Sequence, residues 1–393
     1  MNSSFYIKNA TQLEKIGKRD EAIAMYRKAI EVNPTFSWYY HCLGELLIKN
    51  KCYAEAIVYL SRACEINPNS AFHNYMLIKV LSLKNRLSSY EAMPLLRNPI
   101  IYPKMPGLSN EASTNINGPS LIRVPDWIEN PLGRYYLYFA HHKGSYIRLA
   151  YADRIEGPYT VYEPGTLRLN QTVCRSHIAS PDVHIDEDTQ EIRMYFHGDS
   201  SDRKGQHTFL AKSSDGLHFT SLPEVLGPFY FRVFYYGGYY YAIAMSAVPT
   251  VSSVLLRSKE GTTNWERGKN IIANCRHTAV LLSGETLTIF FSQIGDSPES
   301  ILSSTINLTQ NWLKWEVSEP IGVKQPEYDY EGASLPVEPS KAGIAETFVR
   351  QLRDPAIFLD RTLEKDKIYL LYAVGGESGI AISELVSFDP EEK

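Results

Sequence analysis

Cysteine is scarce in this 393-residue chain. Cys42, Cys52, Cys64, Cys174 and Cys275 are odd in number, and no pair has a metal-ligand spacing. That argues against a disulfide framework or a local zinc site, and free thiols in a reducing compartment are the expectation. Long apolar runs are also missing. No stretch approaches the roughly 20 residues of a membrane-spanning helix. The opening Met-Asn-Ser-Ser-Phe lacks the basic region and apolar run of a secretory signal, so the expected location is cytoplasmic. Neither sign of charge dominates: 40 Lys and Arg stand against 44 Asp and Glu, for a net charge of -4. Nothing there calls for nucleic acid or an anionic membrane as partner. Tryptophan is rare, with 5 residues against 27 tyrosines. Tyrosine suits strands, and also sugar-binding or interaction surfaces. The length allows two domains, or one large one with a sizeable core.

What is present divides the chain. Residues 5–85 are helical in pattern and they repeat: Ala22, Tyr26, Ala29 and Pro34 are matched 34 residues later by Ala56, Leu60, Ala63 and Pro68. Tyr40, Leu43, Gly44 and Leu47 precede the second set, as expected on the first helix of a pair. Small residues let paired helices approach, and the proline ends the second helix. This pattern resembles the tetratricopeptide repeat. Residues 71–84, with Leu77 and Leu81, offer one further helix as a cap. The resemblance implies a partner-binding surface or a docked structural collar. So short an array is expected to lean on the next domain.

Residues 87–116 shift to Pro, Ser, Asn and Gly, a linker signature, with 99–102 as a strand that could close a later sheet. From Asn117 onward the helical pattern disappears. Short runs of Tyr, Ile, Val and Phe alternate with turn residues. The boundaries expected are therefore a helical domain at 1–86, a linker at 87–116 and a β domain at 117–393.

The β region is organised around His177-Ile-Ala-Ser-Pro-Asp-Val-His-Ile-Asp186. Proline cannot donate to a ladder, so Pro181 belongs at the mouth of a strand, with Asp182 beside it. Val183 and Ile185 then point one way, Asp182 and His184 the other. Similar openings recur at Asn117-Gly-Pro-Ser-Leu-Ile122, Leu226-Gly-Pro-Phe-Tyr-Phe231, Arg276-His-Thr-Ala-Val-Leu281 and Arg353-Asp-Pro-Ala-Ile-Phe358. Five such starts, roughly 45 to 80 residues apart, suggest a five-bladed β-propeller with polar residues aimed at one axial pocket. Four-strand sets are expected at 120–124, 134–139, 146–152 and 159–162; at 182–185, 191–196, 207–212 and 218–221; at 229–236, 239–245, 253–257 and near Trp265; and at 278–282, 286–291, 300–306 and 313–316. The last set is 356–359, 368–372 and 380–385. The loop at 320–351 is too long for a mere connection and is expected to sit over a site.

These openings resemble the five-bladed propeller of glycoside hydrolase family 43 and its relatives, over roughly residues 98–388. The resemblance implies that Asp182, in Ser180-Pro-Asp-Val183, holds and tunes a catalytic acid, and that His277 is the axial histidine of the fourth blade. Two departures stand out. Where the family has a general base before the first-blade proline, this chain has Gly118. Where it has a general acid before Gly-Pro in the third blade, this chain has Leu226. A glycine or a leucine cannot move a proton. Asp354 has the aspartate-before-proline form that the first blade lacks, and Asp182 and Asp354 facing each other across the pocket would restore a pair. Inverting hydrolysis needs two carboxyls roughly 6.5–9.5 Å apart. Glu331, on the long loop, is a third candidate acid or base.

His142, in His141-His142-Lys143-Gly144, and His197 end equivalent strands and, with His184 and His277, would form a histidine-rich mouth. Their other role is to hydrogen-bond neighbouring blades. No local spacing supports a metal, and no cofactor is called for. Arg276, Arg350 and Arg353 suit acidic or phosphorylated sugars, or else pair with nearby carboxylates. Gly237-Gly238 and Gly375-Gly376 read as turns, since no helix follows either. Three readings follow. The first is a glycan-acting hydrolase, with catalytic Asp182, Asp354 and Glu331 and substrate-binding His142, His184, His277, Arg276 and Arg353. The second is a carbohydrate-binding propeller without catalysis. The third is a protein-interaction scaffold. In each, the repeats recruit a protein partner.

Overall fold

The computed structural model describes residues 3–50, 52–86, 90–108, 113–200, 205–246, 250–308, 311–361 and 366–387. The chain forms two compact units divided between Ser89 and Tyr90. No helix among the described residues is long and apolar enough to cross a membrane.

The first unit contains α1 (Ser3–Lys15), α2 (Arg19–Val32), α3 (Ser37–Lys49), α4 (Tyr53–Ile66) and α5 (Ala71–Arg86). The repeated small and aromatic positions explain their pairing. Ala22, Tyr26 and Ala29 on α2 and Ala56, Leu60 and Ala63 on α4 are all buried, together with Leu43 and Leu47 of α3. A Cβ on Gly44 would sit 2.5 Å from Leu60 Cγ, so glycine is what lets α3 approach α4. The Tyr40 hydroxyl donates to the Pro34 carbonyl at 3.0 Å and ties α3 to the preceding turn. Met76 and Val80 bring α5 onto the same core, while the expected packing of Leu81 lies outside the described side chains.

The second unit is built of antiparallel sheets. The strands are β1 (Tyr90–Pro94), β2 (Asn117–Arg123), β3 (Tyr135–Ala140), β4 (Tyr146–Ala152), β5 (Thr160–Arg168), β6 (Cys174–Asp186), β7 (Glu191–Ser200), β8 (Gln206–Ser213), β9 (Thr220–Ser221) and β10 (Gly227–Tyr236). They continue with β11 (Tyr239–Ser246), β12 (Ser252–Ser258), β13 (Glu266–Ala273), β14 (Cys275–Ser283), β15 (Thr286–Gln293), β16 (Ile301–Asn307), β17 (Ile321–Lys324), β18 (Arg353–Asp360), β19 (Lys367–Ala373) and β20 (Ile380–Ser387). Three sheets have four strands: β2 to β5, β14 to β17, and β18 to β20 with β1 at the edge. The fourth sheet joins two meanders, β6 to β9 and β10 to β13, through a short pairing of Gly227 and Pro228 with Thr208 and His207.

The first strands of successive meanders lie side by side: β2 with β6, β6 with β10, β10 with β14, β14 with β18, and β18 again with β2. Apolar cores fill the spaces between neighbouring sheets, which explains why strands such as Tyr135–Ala140 are buried on both faces. Each fully buried large side chain contributes roughly 1.5–3 kcal/mol. Every first strand breaks register with its neighbour at the sequence-marked opening: between Asn117 and Ser120, Ala179 and Asp182, Phe229 and Arg232, Cys275 and Thr278, and Arg353 and Ala356. The two residues inside each break are unpaired, and Gly118, Ser180, Tyr230 and Asp354 take left-handed backbone there.

Three expectations are corrected. The strand that completes the last sheet is Tyr90–Pro94, paired with β20 through Ala92 and Leu385. Of residues 99–102, Ile101 makes only an isolated bridge to Ile380. Residues 313–316 are not a strand: Trp312–Lys314 is a 3-10 turn that buries Trp312 and Trp315. The outer strand of that sheet is Ile321–Lys324, within the stretch read as loop.

Candidate functional site

The register breaks deliver one residue from each first strand to a common end of the β unit. Asp354 is the centre. Its Oδ1 accepts from His277 Nδ1, and its Oδ2 accepts the Gly118 N–H at 3.2 Å. His277 Nε2 meets Ser180 Oγ at 3.4 Å, and the Tyr230 ring lies 3.8 Å from the His277 ring. Tyr230 also packs on His197 at 4.3 Å and on Phe229 at 4.7 Å. Gly118 suits this close approach. Its φ of 56° is left-handed, and an added Cβ would stand 3.1 Å from the Ser180 backbone.

Around this centre lies a buried ionic network. Arg276 grips Glu299 with two bonds of 2.7 and 3.0 Å, and Ser292 adds a third at 2.7 Å. Arg353 donates to Glu377 at 2.9 Å and to Gln351 through two further nitrogens. Glu377 also accepts from Asn115 at 2.8 Å and Asn117 at 2.9 Å, with His142 Nδ1 at 3.3 Å. The long loop closes over it: Gly343 O accepts from both arginines, Lys341 O accepts from Arg276, and the Ala345 N–H donates to Glu377.

The electrostatics follow. Burial pushes the Asp354 carboxyl up, but His277, Arg276 and Arg353 outweigh it and hold it down to about 2. Burial likewise raises Glu377, and the bonds from His142 and Asn115 bring it below its ordinary value against opposition from Asp354. Burial drives His197 well below the ordinary imidazole value, helped by His177 and His277. Both carboxylates are therefore ionised near neutral pH.

The other expected residues lie apart. Asp182 sits one step deeper along β6, because the register break consumes Ser180 and Pro181. It accepts from His184 Nε2 and from the Val233 N–H, each at 2.8 Å, with Arg232 at 3.9 Å. Burial raises its carboxyl, and His184 and Arg232 bring it net below its ordinary value. Among the described residues no hydrogen bond or ion pair joins Asp182 to Asp354. His184 is spent on Asp182. Glu331 is fully buried and does not reach the cluster: it accepts the Glu327 and Tyr328 N–H groups and the Tyr372 hydroxyl, with Lys324 at 3.2 Å. Leu226 is buried in an apolar core with Phe231 and Leu256. Glu299 and Glu377 are the members that sequence reading left without a role. Their only signal was their place in turns between strands of the last two sheets. Among the described residues no group of three or more His, Cys, Asp or Glu side chains is arranged to hold a metal.

With this geometry in place, comparison with known proteins gives three results. Tetratricopeptide-repeat models match residues 13–36 and 25–58, so the N-terminal unit carries tetratricopeptide repeats over residues 13–58. Uncharacterized protein R118 of Acanthamoeba polyphaga mimivirus is 34% identical over 350 residues, covering 79% of this chain and 96% of that protein. The chain belongs to the R118 family. The fold of this chain is in turn similar to solved glycoside hydrolases. A thermostable family-43 glycoside hydrolase superposes with a TM-score of 0.52 at 11% identity, over 75% of this chain and 94% of its own. The alpha-L-arabinofuranosidase of Lactobacillus brevis does so with 0.50 at 10% identity, over 74% and 93%. At such identities the likeness is one of fold.

Proposed function

We propose that the second unit is a five-bladed propeller that binds a glycan at its axial end without hydrolysing it, and that the helical repeats bring a protein partner to that glycan. The five side-by-side first strands and their matching register breaks support the blade count. Residues 1–86 would be the repeat domain, and 117–393 the propeller, completed by Tyr90–Pro94.

The observation that carries the reading is how the axial carboxylates are engaged: Asp354 accepts from His277 and the Gly118 N–H, and Glu377 accepts from Arg353, Asn115 and Asn117. Hydrolysis requires one carboxyl to keep its proton near neutral pH while another acts on water or sugar. Asp354 and Glu377 are both held ionised by buried cations and amides. The positions where the family-43 resemblance expects a general base and a general acid hold Gly118 and Leu226, and Asp182 belongs to a separate group. The left-handed backbone of Asp354 is not a mark of catalysis either, since Gly118, Ser180 and Tyr230 share it.

Binding rests on Phe229 and Tyr230, which are half-buried at this end beside His277 and His197. Aromatic faces stack on the apolar faces of sugars, and His142 is positioned for hydroxyl contacts. On the repeat unit, Trp38, Phe72 and Tyr75 are exposed, with Trp38 stacked on His41 and edge-on to Phe72. Such a surface suits a protein partner. Five free cysteines support a reducing, cytoplasmic setting. A glycan panel tested against the intact chain should yield binding that Tyr230→Ala weakens at least tenfold. Binding indifferent to Tyr230, or none to any glycan, would remove the proposal.

A further inference from the structure

Three arginines stood out in the sequence, and the ionic network absorbs only two of them. Arg276 is committed to Glu299, and Arg353 to Glu377 and Gln351. Arg350 has no ion pair or side-chain hydrogen bond among the described residues, and its Nε is buried without a partner. It lines a cavity of about 190 Å³ formed by two limbs of the long loop, with Leu335, Pro336 and Glu338 on one side and Phe348, Val349 and Gln351 on the other.

The cavity is built into the fold. Gly332, with a φ of 80°, lies so close that a Cβ there would meet Val349 O at 2.7 Å and Arg350 Cα at 3.0 Å. The second limb rests on the Gly375-Gly376 turn, where a Cβ on Gly375 would overlap the Phe348 ring. Val349 N–H donates to Gly375 O at 3.2 Å, and Gly376 N–H to Gln351 O at 3.0 Å. These glycines therefore serve to seat the loop, and the two walls are fixed without a ligand.

We propose that this cavity takes an anionic sugar unit, one sugar ring carrying a carboxylate or a phosphate. The Arg350 guanidinium, which lines the cavity and has no ion pair among the described residues, has the charge and planar shape that match either group. Phe348 and the aliphatic wall offer an apolar surface to the ring, and the Glu338 carboxylate can accept from its hydroxyls. Glu338 also repels an anion, so a bare anion gains less here than a charged sugar that uses both walls. Its lining includes neither Phe229 nor Tyr230, and Gln351 joins its wall to Arg353 of the ionic network.

Isothermal titration of the intact chain with glucuronic acid, glucose 6-phosphate, glucose and inorganic phosphate tests this. At least one of the two charged sugars should bind at least tenfold more tightly than both glucose and phosphate. Which one binds identifies a uronate or a phosphosugar. Arg350→Gln should weaken that binding at least tenfold, with Arg350→Lys intermediate and the melting temperature of both variants unchanged. No binding by either charged sugar would overturn the proposal. So would equal binding of glucose or phosphate, or binding that survives in Arg350→Gln.

Discussion

His277 and Asp354 stand 77 residues apart in the chain and share one buried hydrogen bond, His277 Nδ1 donating to the carboxylate. The carboxyl is held at about 2, below its ordinary 3.8. A depressed carboxyl stabilises the fold at any pH above its unfolded value, and that contribution is lost as pH falls through the folded one. Between pH 5 and pH 2 the native protein should lose on the order of 2 kcal/mol more stability than Asp354→Asn. Denaturant titrations across that range check it. Parallel acid limbs for the two proteins would contradict the assignment.

Arg276 and Glu299 form a pair in which the carboxylate is wholly buried. Removing the cation leaves that charge with only Arg353, 3.5 Å away, and the Ser292 hydroxyl. Arg276→Ala should cost about 3–5 kcal/mol in chemical denaturation. A cost below 1 kcal/mol would mean that the pair is solvated.

Glu331, a third candidate acid or base in the sequence, is wholly buried and engaged within the fold. Its carboxylate accepts two backbone N–H groups and the Tyr372 hydroxyl. Glu331→Gln should destabilise by about 2 kcal/mol, since bonds to a charged group are stronger than neutral ones. Its glycan binding should match that of the native protein. Weakened glycan binding at full stability would return Glu331 to the site.

The resemblance read in the sequence would set a general base at Gly118 and a general acid at Leu226. Gly118→Asp adds a Cβ 3.1 Å from the Ser180 backbone, and Leu226→Glu places a carboxylate in an apolar core. The double variant should melt lower than the native protein and release no sugar. Gain of turnover on aryl glycosides would show that the site is closer to catalysis than its present geometry.

In the helical unit, Gly44 faces Leu60 with no room for a side chain. Gly44→Val should cost about 1–3 kcal/mol by overpacking. Far-ultraviolet circular dichroism of the intact chain during melting would detect it as an earlier loss of helix. An unshifted helical transition would contradict the close approach.

The parts of this structure legible in the sequence are those fixed by local chemistry. A 34-residue spacing of Ala22, Tyr26 and Ala29 with Ala56, Leu60 and Ala63 suffices to mark paired helices, because those positions must be small or fill one groove. Prolines and glycines at residues 118–119, 181 and 355 fall inside the register breaks, which need unpaired residues, whereas Gly227 and Pro228 pair with β8 just ahead of theirs. Which residue then faces the centre was not legible. Reading Pro181 as a strand start puts Asp182 at the mouth, whereas the break spends two residues and leaves Ser180 there. The partners of the arginines were hidden for another reason. Glu299 and Glu377 join Arg276 and Arg353 through tertiary closure, and no spacing in one chain segment encodes that. The outer strand at Ile321–Lys324 was missed because a glycine interrupts its pattern and its neighbours are turn-formers.

The central claim is an axial site that holds sugar and does not cut it. The most direct test is release of sugar from a panel of arabinofuranosides, xylosides and other aryl glycosides by the intact chain, measured beside Asp354→Asn. The account predicts the same background rate for both proteins on every substrate. Turnover by the native chain that Asp354→Asn abolishes would contradict it.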